Sequence, residues 1–450
     1  MSQHSGMRIE EDMLGTLSFP VDAPYGIQTE RARLNFSRKK QGSLGGYHSL
    51  VKGLLWVKQA AATANGICGY LSNIQWRAIV RAVEETLACN LEEMFPVHRL
   101  HGGGGTSANM NANEVVARKV QQYFKKEGFD EPFTPCGHVN LHQSTNDVYP
   151  TACHIAIILD WKTLDDALCR LELAFRDLTT QYAHVDHLAR TCLQDAVVIS
   201  SRDFFSGYES MVGRQKRRLA ENVDRLHHVN LGGTIVGDTK AVPSDYFHAV
   251  LPALREISGD PGFERHANLF DAAQNPDDML AVASGLDDLA RCLIKVGKDF
   301  RLLASGPEAG FNELILPAVQ PGSTAMPGKV NPVMPEFLIQ SCMDAIGHCH
   351  AARMGLDHGE LDLNIWESLI VCSILDAMDL LEQAIISFEN KCLAGIEINA
   401  SSLEKHCQCT TALVERLSRE HGYDYVTRLC SRARMEKRSV MSILQEEGLL

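Results

Sequence analysis

Between Pro321 and Pro332 the chain reads Pro-Gly-Ser-Thr-Ala-Met-Pro-Gly-Lys-Val-Asn-Pro, bringing hydroxyls, a cation and an amide into one short span. Gly322 and Gly328 permit backbone angles closed to other residues, so Ser323 and Thr324 can offer both side chains and backbone N–H groups to an anion. Lys329 adds a point charge and Asn331 a neutral donor. Such a set suits the binding of a carboxylate beside a candidate base. The plain alternative is a surface turn with an incidental lysine, because Gly/Ser/Pro clusters commonly punctuate chains.

Other segments rich in small polar residues precede this loop. They are Gly105-Thr106-Ser107-Ala108-Asn109-Met110-Asn111-Ala112-Asn113-Glu114, then Gln143-Ser144-Thr145-Asn146-Asp147, then Arg190-Thr191-Cys192-Leu193-Gln194-Asp195-Ala196. Taken singly each reads as caps and turns, the usual work of Ser, Thr and Asn outside helices. Together and in this order they resemble the aspartase/fumarase superfamily, whose loop runs Gly-Ser-Ser-X-Met-Pro-X-Lys-X-Asn-Pro. Only the second serine differs, as Thr324. Glu11-Asp12-Met13-Leu14-Gly15, Pro24-Tyr25-Gly26-Ile27-Gln28-Thr29 and the closing Gly448-Leu449-Leu450 extend the likeness over almost the whole chain.

The resemblance implies a mainly α, three-domain fold with a long central helical bundle that assembles into a tetrameric helix core. Its domains would be an N-terminal helical domain over 1–145, a central domain over 146–398 that holds the catalytic loop 317–332, and a small C-terminal helical domain over 399–450. A homotetramer is implied, with each active site shared between subunits. By the same resemblance Ser323 is the catalytic base, and Lys329 with Asn331 holds one substrate carboxylate. Thr106, Ser144 and Thr145 match positions that bind the carboxylate whose neighbouring carbon loses its proton, with Thr324 assisting. Asn146 and Thr191 match positions around the amino group and the other carboxylate.

The family eliminates a group from a succinyl skeleton, usually giving fumarate, with no organic cofactor. Abstracting a C–H proton beside a carboxylate creates a doubly charged, enediolate-like species, so dense donors are the main requirement. A serine can serve as base only if backbone N–H groups and a cation stabilise its alkoxide. Asn331-Pro332-Val333-Met334-Pro335-Glu336 and Met110–Glu114 look more like members that deaminate L-aspartate to fumarate and ammonia. Cys192 departs from the family, which usually places histidine or glutamine after the threonine. A thiol is shorter and a weaker hydrogen-bond partner, so either water fills the gap or the substrate has changed. Thr134-Pro135-Cys136-Gly137-His138-Val139-Asn140 replaces a more polar run, which puts a secondary anion site in doubt. Elimination from L-malate or another substituted succinate, and a non-catalytic structural role, stand as alternatives.

Composition agrees with a globular enzyme: 450 residues at 45% hydrophobic content can bury a large core. A formal charge of −13 disfavours nucleic acid and anionic membranes as partners. No run reaches the roughly 18 to 20 apolar residues of a membrane span. Fourteen scattered cysteines without a CxxC pair, and a Met1-Ser2-Gln3-His4-Ser5 start without an apolar run, read as reduced thiols in the cytosol. His348-Cys349-His350 with His358, and His406-Cys407 with Cys409, lack the regular spacing of a zinc site, so no metal is expected.

Helices must position these segments. Leu164, Leu168, Leu171, Phe175 and Leu178 recur at alternating steps of four and three, which predicts a packed helical stripe. Asp278–Leu303, Pro335–Met354 and Trp366–Phe388 are similarly periodic, whereas alternating strands with hairpin turns are nearly absent. Helices this apolar have more than one greasy face, so oligomerisation is expected. The substrate would be a small dicarboxylate or amino acid.

Overall fold

The computed structural model describes residues 6–36 and 42–448; the Met1–Ser5 start and the closing Leu449–Leu450 lie outside the described residues. The fold is mainly α-helical, and the apolar spacing accounts for its long helices. Leu164, Leu168, Leu171, Phe175 and Leu178 form one buried stripe of the helix Thr145–Gln181. The other periodic segments become the helices Asp277–Leu303, Val333–Asp357 and Glu367–Lys391. Val333–Asp357 starts two residues before the expected Pro335, which a first helical turn accommodates because its N–H groups have no intrahelical partner.

Short strands also occur where no alternating pattern announces them. Met7–Asp12 pairs antiparallel with Gly15–Pro20, and Asp186–Thr191 with Gln194–Ser200. The second pair corrects the expectation that hairpins are nearly absent, and it matters because it carries Thr191 and Cys192.

The chain divides into a pair of compact units. The first comprises Met1–Asp165, Arg217–Asp288 and Asp344–Leu380; in it the helix His48–Ile67 packs on Asn73–Leu87 and on Ser244–Ser258. The second comprises Asp166–Lys216, Leu289–Met343 and Leu381–Leu450, and includes a small core of its own where Leu417, Val426, Leu429, Ile443 and Leu444 meet. Among the described residues no helix is long and apolar enough to cross a membrane.

One buried charge stands out in the first unit. Glu367 opens the helix Glu367–Lys391, is only 6% exposed, and burial pushes its carboxyl from the ordinary 4.5 up to about 8. An acid raised in the folded state adds stability that is complete below its unfolded value and is lost as pH rises from there through the folded value. The gap between 4.5 and about 8 is worth on the order of 5 kcal/mol. Glu367→Gln is therefore expected to raise the melting temperature clearly at pH 9 and hardly at pH 5. Equal shifts at both pH values would refute that reading.

Candidate active site

The first unit gathers Thr106, Ser144, Thr145 and Asn146 at the starts of helices. Thr106 is the first residue of the helix Thr106–Glu127, behind Gly103, Gly104 and Gly105, all in the left-handed region. Gly105 is required twice over: its φ is 86°, and a Cβ there would collide with the ring of Tyr149. That close approach brings this helix start against the helix that begins at Thr145. Thr106 Oγ1 donates to the Gly103 carbonyl at 2.8 Å, which ties it to the glycine turn. The Gly103–Gly105 run beside Thr106 is thus a tight turn.

The Ser144–Asp147 segment is fastened at several points. Ser144 N donates to Asp147 Oδ1 at 2.9 Å, and Asn146 N to Ser144 Oγ at 3.2 Å. Pro150 lacks the N–H that would bond the Asn146 carbonyl four residues back. Asn230 Nδ2 fills that role at 2.8 Å, while Asn146 Nδ2 donates to Ile235 O at 2.8 Å. Asp147 is fully buried and also accepts from Gly232 N at 2.9 Å; burial pushes its carboxyl up to about 6 against the pull of these donors. Beneath lies a polar cluster that sequence reasoning missed: Lys58, Asn109, Asn113, Asn140 and Gln143. Ser144, Thr145 and Asn146 stay partly exposed above it. Hydroxyls beside two neighbouring helix starts, where the helix dipole favours negative charge, suit an anion.

The second unit holds Thr191 and Cys192 on the hairpin, and Ser323, Thr324, Lys329 and Asn331 on the loop. Thr191 pairs with Gln194, so Cys192 and Leu193 make a two-residue turn with φ of 53° and 58°. Positive φ at both positions is the type I′ geometry that usually selects Asn and Gly, and non-glycine residues hold it at a cost of order 1 kcal/mol each. The Cys192 side chain is exposed at the tip. Behind it, Arg190 donates to Glu313 at 2.6 and 3.1 Å and lies over the Phe311 ring, and His406 Nδ1 meets Glu313 Oε1 at 2.6 Å.

The loop is pinched at its neck. Gly322 N donates to Lys329 O at 2.8 Å and Asn331 Nδ2 donates to Gly322 O at 2.9 Å. A Cβ on Gly322 would stand 2.7 Å from Asn331 N. Asn331 therefore closes the loop with one of its amide hydrogens. Inside the loop, Ser323 Oγ accepts from Ala325 N at 3.1 Å and Met326 N at 3.0 Å. Thr324 and Lys329 are exposed.

All of these segments fall within residues 15–347, over which the chain matches the family described as Lyase. The chain belongs to that lyase family. It is 38% identical over 452 residues to an aspartate ammonia-lyase of Pseudomonas fluorescens, covering 100% of this chain and 94% of the relative. A class II fumarate hydratase of Chlamydia caviae is 34% identical over 429 residues, with 95% and 92% covered. Among solved structures, the fumarate lyase:delta crystallin of Brucella melitensis superposes with a TM-score of 0.92 at 37% identity, covering 98% of this chain and 96% of that one.

Thr134, Pro135 and Cys136 line a cavity of roughly 370 Å³ with Glu10, Glu11, Asp12 and Glu114 against the single cation Arg118. Glu10 is paired with Arg8 and Asp12 with Arg31, and Glu114 accepts from the Gly26, Gln28 and Thr29 amides.

Proposed function

We propose that this lyase removes ammonia reversibly from L-aspartate to give fumarate, with Ser323 as the base. The observation that carries the reading is the pair of backbone N–H groups on Ser323 Oγ, which would stabilise the alkoxide that proton abstraction requires. Ser323 takes the Cβ proton, the electrons move into the adjacent carboxylate as an enediolate, and collapse of that species expels ammonia. Thr106, Ser144, Thr145 and Thr324 supply hydrogen bonds to the carboxylate that gains charge. Lys329 and Asn331 hold the other carboxylate, and Asn146, Thr191 and Cys192 border the amino group.

The active form in this reading is a homotetramer in which copies complete each other's sites. Phe337, Met343 and Met354, exposed on the helix Val333–Asp357, support association of copies. We keep the division at 145 and 398 as part of the same proposal. The free thiols fit a reducing cytosol.

Water elimination from L-malate is the second reading, supported by the 34% identity to a class II fumarate hydratase. The reverse reaction separates them. Fumarate absorbance is expected to fall with the purified protein only when ammonium is present. A fall without ammonium would instead establish the hydratase reading.

A further inference from the structure

Lys58 takes no part in the chemistry just described, yet it lies at the foot of the first unit's site. Its ammonium is fully buried and donates to Asn140 Oδ1 at 2.8 Å and to Gln143 Oε1 at 2.9 Å. An ammonium has donors and no acceptor, so the atoms it meets on both amides must be oxygens. That choice propagates. With Asn140 Oδ1 fixed as acceptor, the atoms that Asn109 and Asn113 turn toward it, at 3.2 and 3.1 Å, are nitrogens. The Asn109 nitrogen also lies 2.9 Å from Thr145 Oγ1. Thr145 must therefore accept from Asn109, and its hydroxyl hydrogen is left to donate elsewhere.

The arrangement has a cost that argues for a strong cause. The carbonyl oxygens of Asn109 and Asn113 lie buried without a protein partner. Rotating either amide would turn its oxygen toward Asn140 Oδ1 and set acceptor against acceptor. A charge-assisted donor beneath the network is strong enough to impose that choice.

We propose that Lys58 is a positioning residue which, through Asn140 and Asn109, makes the Thr145 hydroxyl a donor toward an anionic ligand at the start of the helix Thr145–Gln181. The proposal rests on the reading of Thr145 as a carboxylate ligand. Without the ammonium, only the Asn140 Nδ2 bond to the Gln143 carbonyl at 3.0 Å still holds that amide; once it turns, Asn109 follows and the Thr145 hydroxyl donates inward to Asn109. The lone pairs of Thr145 would face the substrate carboxylate. Burial pulls the Lys58 ammonium down to about 7, and Asp147, with the Cys136 thiol nearby, acts in the opposite direction to keep it charged.

The test is Lys58→Met in the assembled protein, read against the natural chain. The inhibition constant for succinate, a dicarboxylate with no group to eliminate, is expected to rise by about tenfold, and kcat for L-aspartate to fall by at least as much, because the carboxylate that Thr145 holds gains charge in the transition state. A folded variant that binds succinate as tightly as the natural protein would overturn the proposal. Should the variant fail to fold, neutron diffraction from the natural protein decides. The expected map has Asn109 nitrogen facing Thr145, with the Thr145 deuterium pointing away from it. An Asn109 carbonyl facing a Thr145 hydroxyl overturns the assignment. This readout needs no turnover, so a natural protein inactive on L-aspartate would defeat the functional reading and leave Lys58 to be judged on the map.

Discussion

Ser323→Ala is expected to lower kcat for L-aspartate by about 10³-fold, in the range that a positioned acid or base contributes. KM should change little, because the residues assigned to the carboxylates remain. The loop should also keep its form. Its neck is held by Gly322 and Asn331, not by the serine side chain, and only the Ala325 and Met326 amides lose a partner. These lie on an exposed stretch where water replaces the lost acceptor. Steady-state kinetics with a matched circular dichroism spectrum checks the expectation. Near-normal turnover in the variant would remove Ser323 from the mechanism.

The second large effect concerns stability and belongs to Glu313. Its carboxylate is 1% exposed and sits between Arg190, 10% exposed, and His406. Removing one partner of a buried pair strands the other, which typically costs about 3 to 5 kcal/mol. Glu313→Ala should therefore lower the chemical-denaturation midpoint markedly and speed hydrogen exchange in the strand Gln194–Ser200, which pairs with the strand of Arg190. Because Thr191 and Cys192 are the next residues along, kcat/KM should fall with it. The solvent-facing pair of Arg176 and Glu209 gives the contrast: Arg176→Ala should leave the denaturation midpoint almost unchanged. A Glu313→Ala effect that small would show that the cluster does not support the hairpin.

Much of this architecture was legible in the sequence because helices announce themselves by repetition. Leu164 through Leu178 recur at the spacing of one helical face, and tertiary packing then needs only that face. The hairpin was not legible for equally physical reasons. Asp186–Thr191 has the burial order exposed, buried, buried, intermediate, intermediate, exposed, without the alternation of a half-buried strand. Its turn is built from Cys192 and Leu193, neither of which signals a type I′ conformation.

The candidate loop was readable from Gly322, Ser323, Lys329 and Asn331, but the support beneath the other segments was not, since Glu313 and Lys58 are brought in by distant parts of the chain. Lys58 did leave a trace. It stands four residues after Leu54 and three before Ala61, on the buried face of an otherwise apolar stretch. A lysine there needs a buried partner, and Asn140, Gln143 and Asp147 supply it.

The most direct measurement is the rise in fumarate absorbance when purified, assembled protein is given L-aspartate or L-malate in separate reactions. Sustained fumarate formation from L-aspartate, with L-malate slower by at least about a hundredfold, is the predicted result. Fumarate from L-malate alone, or from neither compound with the assembly intact, would contradict the assignment of L-aspartate as the substrate.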